Sequence, residues 1–372
     1  MELPFEPDVD VSSLSVIFND TTNSYKFYWF LAILNALNKG TAERLNVDDL
    51  AIQMIADVWF PLEYYRLSFG KQDGFKKVAD YISAYLPVDT SPSAPTLETQ
   101  LDQSLGRVEI RAIKSRVGEL LRWVPYRFLR PFFIFELRGI KDTNINGAII
   151  KLCNENFEKD RRRVMYKFEG RSIIFNTNWM DYVKANHQVL KGFTYWHIVK
   201  FLQRNNPNVP GIASKIFKPD YSDRNLSKAT KFWKEFLSET PNYYCIYSGQ
   251  QLTQENFSLD HFLPWSFVVH NHFWNLIPVP KSVNSSKRDW LPDWTYFPMF
   301  AQRQYEVFKF HFQNGKIKVL EDYFIDIVPN EHLVGQKEFT QRLEQQIMPQ
   351  YQIAKNMGFL SPFIFHEKQN SR

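Results

Sequence analysis

Residues 241–293 read PNYYCIYSGQQLTQENFSLDHFLPWSFVVHNHFWNLIPVPKSVNSSKRDWLPD, and the fold class is decided there. Residues 258–263 form a short apolar-rich run stopped by Pro264, which reads as a strand. An irregular loop continues to Trp274, a second strand is expected over 275–280, and a short helix over 281–290. Pro280 suits a helix start and Pro292 closes the segment. The expected order is strand, loop, strand, helix. The predicted class is α+β, with mainly helical N-terminal and middle regions and a C-terminal ββα hairpin.

The hairpin concentrates reactive side chains. Asp260 and His261 are adjacent, and consecutive strand residues face opposite ways, so they serve one site only where the strand ends or bulges. Pro264 supplies that ending. Asn284, Lys287 and Arg288 share a helix face at i, i+3 and i+4. An Asp carboxylate and an Asn carbonyl are hard oxygen ligands suited to Mg²⁺ or Mn²⁺, which makes Asp260 and Asn284 the candidate metal ligands. A neutral imidazole at His261 can take a proton from water at physiological pH, and Lys287 or Arg288 can steady a phosphate. Together these are the parts of a metal-assisted phosphodiester hydrolysis.

This constellation resembles the HNH, or ββα-metal, endonucleases. Leu259-Asp260-His261-Phe262-Leu263-Pro264 looks like their first motif, Trp274-Asn275-Leu276 like the middle one, and Asn284-Ser285-Ser286-Lys287 like the third, with Asn in place of the final His. The spacing is similar to that of the HNH domain in RNA-guided CRISPR nucleases. The resemblance implies that Asp260 and Asn284 bind one divalent cation, that His261 is the general base, and that Asn275 orients it by holding the hairpin loop. It implies Lys287 as a further catalytic residue, and a 5′ phosphate and 3′ hydroxyl as products. Many relatives add two Cys-x-x-Cys pairs that bind zinc. Here only Cys245 stands at such a position, so no structural zinc is expected, with packing of Tyr243, Tyr244 and Tyr247 in its place.

Charge outside the hairpin is uneven. Residues 1–106 hold 7 Lys/Arg against 15 Asp/Glu, residues 107–234 hold 26 against 11, and residues 235–372 hold 12 against 14. The +15 middle block is the electrostatic footprint of a polyanion binder, and Arg161, Arg162 and Arg163 are its candidate nucleic-acid contacts alongside Arg288. In the first third, helices are expected to start after Asn23-Ser24, near Asn46 and near Gly74. The Pro/Ser/Thr-rich stretch PVDTSPSAPT at 87–96 marks a boundary, followed by a long helical pattern over 97–123. Residues 124–136, interrupted by Pro125 and Pro131, suit a loop, and a hairpin is expected around Glu169-Gly170. The expected division is 1–90 helical, 97–238 basic and mostly helical, 239–295 the HNH domain, and 296–372 a flank packing on it.

Of the 372 residues 44% are hydrophobic and 23% charged, a globular composition that excludes a disordered or fibrous chain. The longest uncharged apolar stretch, 27–38, is shorter than the roughly 20 residues of a membrane span, and the start MELPFEPDVD is unlike a signal peptide. Cys153 and Cys245 imply no disulfide framework. These features predict a cytoplasmic protein without membrane association. The expectation is a metal-dependent endonuclease acting on DNA, with a place in bacterial restriction or antiviral defence implied by the family alone. A non-catalytic DNA-binding or assembly protein, or a nuclease acting on RNA, is the alternative.

Overall fold

The structure is a computed structural model that describes residues 2–40, 43–90, 95–219, 224–329 and 331–366. The chain divides into two compact units, Met1–Pro207 with Lys215–Lys218, and Asn208–Ser214 with Pro219–Arg372.

The first unit is built on helix α1, Tyr25–Lys39. Every residue from Phe27 to Leu34 is buried, so the helix is apolar all round and sits at the centre rather than on a surface. Helix α2, Val47–Trp59, packs on α1 and starts where Asn46 Oδ1 accepts a hydrogen bond from the Asp48 amide, with Asp48 and Asp49 in its first turn. Pro61 does not stop the chain at once: a single wide turn, Phe60–Tyr64, carries it on before Tyr65. Helix α3, Phe75–Tyr85, follows Gly74.

Residues 91–94 of the Pro-rich stretch lie outside the described residues. Helix α4, Leu97–Ser104, belongs to the same unit as α1 to α3. The long helical pattern over 97–123 is broken: α4 ends at Leu105, Gly106 is extended, and helix α5 restarts over Arg107–Gly118. Residues 124–136 form short helical turns, Val124–Arg127 and Arg130–Phe133. Pro125 and Pro131 sit in the first turns of these, where a missing N–H costs nothing. The hairpin forms as Tyr166–Glu169 (strand β2) and Ser172–Phe175 (β3), and Arg44–Asn46 (β1) adds an antiparallel third strand on β3. Helices α6, Thr177–Ala185, and α7, His187–Asn205, close the unit, the latter against α1.

The second unit holds the ββα segment. Strands β4, Ser258–His261, and β5, Leu276–Val279, pair antiparallel with Asp260 opposite Ile277 and His261 opposite Leu276. Helix α8, Lys281–Lys287, begins after Pro280. Helix α9, Phe297–Gln313, packs on α10, Gln336–Asn356. Phe300 of α9 stacks on Phe262 at 4.1 Å between ring centres. Gln304, also on α9, donates to the Leu276 carbonyl at 2.8 Å and accepts from Tyr323 Oη at 2.6 Å, both bonds fully buried. A ββα hairpin cannot enclose its own core, and these rings, each worth about 1.5–3 kcal/mol when fully buried, supply it. No described helix is long and apolar enough to cross a membrane.

Candidate active site

Strand β4 ends at His261, and the chain turns at Pro264 into a short helix, Trp265–Val268. Buried Asn275 holds the start of this loop. Its Oδ1 accepts from the Leu263 amide and its Nδ2 donates to the Leu263 carbonyl, both at 2.9 Å. One side chain thus satisfies two backbone groups that leave the ladder when the strand stops.

The loop then passes through Val269, which has φ +52, a strained setting for a β-branched residue. Gly211 lies against it with φ +62, and a Cβ there would come within 2.2 Å of Val269 Cγ2. Only glycine permits that approach. The loop so placed brings Asn271 Oδ1 to 3.0 Å from His261 Nε2. Burial pushes the His261 imidazole down to about 3; the Asn271 hydrogen bond opposes this, while the charges of Lys287 and Arg224 add to it. At neutral pH the ring is therefore the free base.

Asp260 precedes His261 on β4, opposite Ile277 in the ladder. It is buried, with Oδ1 3.1 Å from Lys287 Nζ and Oδ2 accepting from Tyr247 Oη at 3.2 Å. Burial raises its carboxyl above the ordinary range, against the pull of Lys287 and Tyr247. Lys287 is fully buried and also donates to the His261 carbonyl at 2.7 Å. Its charge touches the backbone of the base and the carboxylate beside it. Asn284, one turn earlier on α8, donates through Nδ2 to the Leu259 carbonyl at 3.1 Å and to Ser258 Oγ at 3.3 Å.

Among the described residues no three His, Cys, Asp or Glu side chains gather as a metal site, and the hard oxygen donors of the segment are those of Asp260 and Asn284. A carboxylate has about four lone-pair sites, and Asp260 spends one on Lys287 and one on Tyr247. Asn284 uses its nitrogen, so its carbonyl oxygen is the end left for a hard ion.

Arg288 follows Lys287 at the end of α8 with φ +47. Arg161, Arg162 and Arg163 lie in the first unit, where Arg161 pairs with Glu158 and Arg163 with Asp160 and Glu136. Two contacts were not readable from the residues alone. Asn271 sits between His270 and His272 with nothing in its spacing to mark it, and the Tyr247 hydroxyl reaches Asp260 across 13 residues. His272 is itself engaged: its Nδ1 is 2.8 Å from Asp326 Oδ2, which also accepts from Trp274 Nε1 at 2.7 Å. Of the three tyrosines near Cys245, Tyr243 and Tyr247 are buried and Tyr244 is exposed.

Residues 245–293 match the family model of the HNH endonucleases. No curated protein and no solved structure matches the chain significantly. The second unit therefore carries an HNH endonuclease domain, the domain of a nuclease acting on nucleic acid.

Proposed function

We propose that the chain is a divalent-metal-dependent endonuclease that hydrolyses DNA phosphodiester bonds. The observation that carries this reading is a neutral, loop-held His261 beside a buried Asp260, with Asn284 and Lys287 brought up to the same strand from α8. HNH nucleases generally need a divalent cation. Asp260 and Asn284 would hold it, and it would supply Lewis-acid polarisation of the scissile phosphate.

The chain's own residues do the rest. His261 takes a proton from water, whose oxygen attacks phosphorus in line with the 3′ oxygen. The bond from phosphorus to the 3′ oxygen breaks, and that oxygen gains a proton, leaving a 5′ phosphate and a 3′ hydroxyl. Asn275 fixes the loop, and Asn271 fixes the ring through Nε2. Lys287 places positive charge against Asp260 and the His261 carbonyl. The 26 Lys/Arg of residues 107–234, Arg161 to Arg163 among them, support a DNA substrate through salt-sensitive phosphate contacts. A part in restricting foreign DNA belongs to this reading on the family likeness alone.

The test is nicking of supercoiled plasmid with Mg²⁺ or Mn²⁺ against an EDTA control, with a parallel RNA substrate. His261→Ala is expected to lower the rate about 10²–10⁴-fold while retaining DNA affinity. Unchanged nicking by the variant overturns the assignment of the base. Cleavage of RNA alone overturns the substrate.

A further inference from the structure

The second unit carries an open groove of about 590 Å³ beside α8, the helix that brings Asn284 and Lys287 to the strand. Ser285, Ser286 and Arg288 line one part of it, Trp290 follows, and residues 362–366 line the rest. Backbone pairing sets the spacing of these walls. The Leu291 amide donates to the Leu360 carbonyl and the Phe363 amide to the Leu291 carbonyl, both at 2.8 Å, and the Asp293 amide donates to the Phe363 carbonyl at 3.0 Å.

Two side chains of the groove do nothing for the fold. Trp290 is 37% exposed, and its ring meets no other ring or cation among the described residues. Arg288 is exposed and has no ion pair or side-chain hydrogen bond among the described residues. It sits at φ +47 and ψ −125, a setting that favours glycine. Strained backbone of this kind collects at sites that bind or react. The Arg288 amide still donates to the Asn284 carbonyl at 3.1 Å, so residue 288 stands one helical turn, about 5.4 Å of rise, beyond the candidate metal ligand. Phosphates repeat about every 3.4 Å of axis along one strand of a duplex, so a cation at that position meets a phosphate neighbouring the one at the metal ligand.

The lining narrows the occupant. Among the described residues Arg288 and His366 are its titratable side chains and no carboxylate joins them. The polar side therefore suits an anion, with the Ser285 and Ser286 hydroxyls as further donors. The apolar side is Trp290, buried Phe363 and exposed Ile364, a surface for a flat ring. A carboxylate peptide answers the first side alone and an acyl chain the second alone. A phosphate joined to a base answers both. Bases in an intact duplex are stacked on one another, so the ring on Trp290 comes from an unpaired nucleotide.

We propose that this groove binds an unpaired nucleotide of the strand under cleavage, with its phosphate on Arg288 and its base stacked on Trp290. The inference rests on the nuclease reading and deepens it: the strand passes α8 single or locally opened.

The experiment measures fluorescence anisotropy of labelled oligonucleotides with the full chain carrying His261→Ala, which suppresses cleavage. The probes are a thymidine single strand, a strand of abasic sites of equal length, and a thymidine–adenosine duplex. Trp290→Ala is expected to weaken the single strand about tenfold and to leave the abasic strand and the duplex unchanged. Trp290→Phe keeps an aromatic face and recovers most of the loss. Arg288→Gln weakens the single strand and the abasic strand alike, and lowers the slope of log affinity on log salt by about 0.7, one phosphate. No saturable binding of the single strand, no loss in Trp290→Ala, an equal loss on all three probes, or no recovery in Trp290→Phe overturns the groove as a base site. Plasmid nicking by the wild type, run in parallel, keeps the two readings apart. Absent nicking with the tenfold loss intact overturns the nuclease and not the groove; nicking with unchanged binding in Trp290→Ala overturns the groove alone.

Discussion

Two small sets of buried polar groups, one in each unit, are treated in opposite ways. Around the ββα hairpin, Asp260, Asn275, Lys287 and Gln304 are all buried and all hydrogen-bonded within the second unit. In the first unit, on residues beside a cavity, Tyr28 Oη, Trp59 Nε1 and Asp57 Oδ2 are buried with no partner. The first set gives the hairpin its shape: each side chain stands where a backbone group or a charge would otherwise go unanswered. The second set does nothing for the fold and costs it stability. Partnered polar groups mark construction, whereas unpartnered ones cost stability, and the second unit carries such atoms too, Tyr243 Oη, Trp233 Nε1 and Ser266 Oγ among them.

The sharpest way to break that contrast is to remove a partner in the hairpin. Lys287→Met leaves the Asp260 charge buried against Tyr247 alone. Loss of one member of a buried pair costs about 3–5 kcal/mol. The variant is expected to show a much lower denaturation midpoint, while Asp260→Asn with Lys287→Met recovers a good part of it. A double variant no more stable than the single one would show that the ion pair is not what the helix closes on.

How much of this was legible in the sequence follows the same division. The strand, loop, strand and helix of 258–287 are marked by local signals, Pro264 and Pro280 at the turns and apolar runs between, and the structure forms them within two or three residues of the expected limits. Asn284 and Lys287 were legible as one helix face, but not that Lys287 turns inward onto Asp260 and the His261 carbonyl, because an ion pair across 27 residues leaves no periodic trace. In the first unit, the break at Leu105-Gly106 is hidden by an unbroken helical pattern, and β1 is three residues long, too short to show alternation. The cavity was not legible at all. Tyr28, Asp57, Trp59 and Tyr195 come from three helices, and only packing collects them.

The reverse experiment removes a buried carboxyl of which only Oδ1 has a partner, Gln53. The Asp57 carboxyl has its folded pKa raised to about 7 from 3.8, with burial as the first cause. A raised pKa means the folded state binds the proton more tightly, so the group's contribution is fully present below pH 3.8 and lost as pH rises through about 7. Asp57→Asn removes that loss. The variant is expected to melt above the wild type at pH 8, with the advantage shrinking toward pH 5. A melting temperature lowered at pH 8 would show that the carboxylate is serving the fold after all.

A smaller and cleaner comparison sets two tyrosines side by side. Tyr247→Phe takes a hydrogen bond from Asp260 and is expected to cost about 1 kcal/mol or somewhat more, because the acceptor is charged. Tyr28→Phe removes a hydroxyl with no partner and is expected to be neutral or slightly stabilising. Equal losses in chemical denaturation would erase the distinction between the two regions.

The smallest expected effect lies at the hairpin loop, where His272 meets Asp326. The hydrogen bond to Asp326 raises His272 above its ordinary value. At Asp326 burial pushes upward, but the bonds from His272 and Trp274 outweigh it and hold the carboxyl low. The raised histidine lends stability below about pH 6.5 that is lost as pH rises through its folded pKa. The lowered aspartate lends stability above about pH 4 that is lost as pH falls through its own. The pair is strongest between the two, from about pH 4 to somewhat above 6.5. His272 is 36% exposed, so solvent screening keeps the gain at the level of a surface pair, under about 1 kcal/mol. His272→Gln is expected to flatten the melting temperature across that window by a few degrees at most, with no change at pH 9. A change as large at pH 9 as at pH 5.5 would mean that His272 acts by packing against His270, 4.0 Å away between ring centres, and not by its charge.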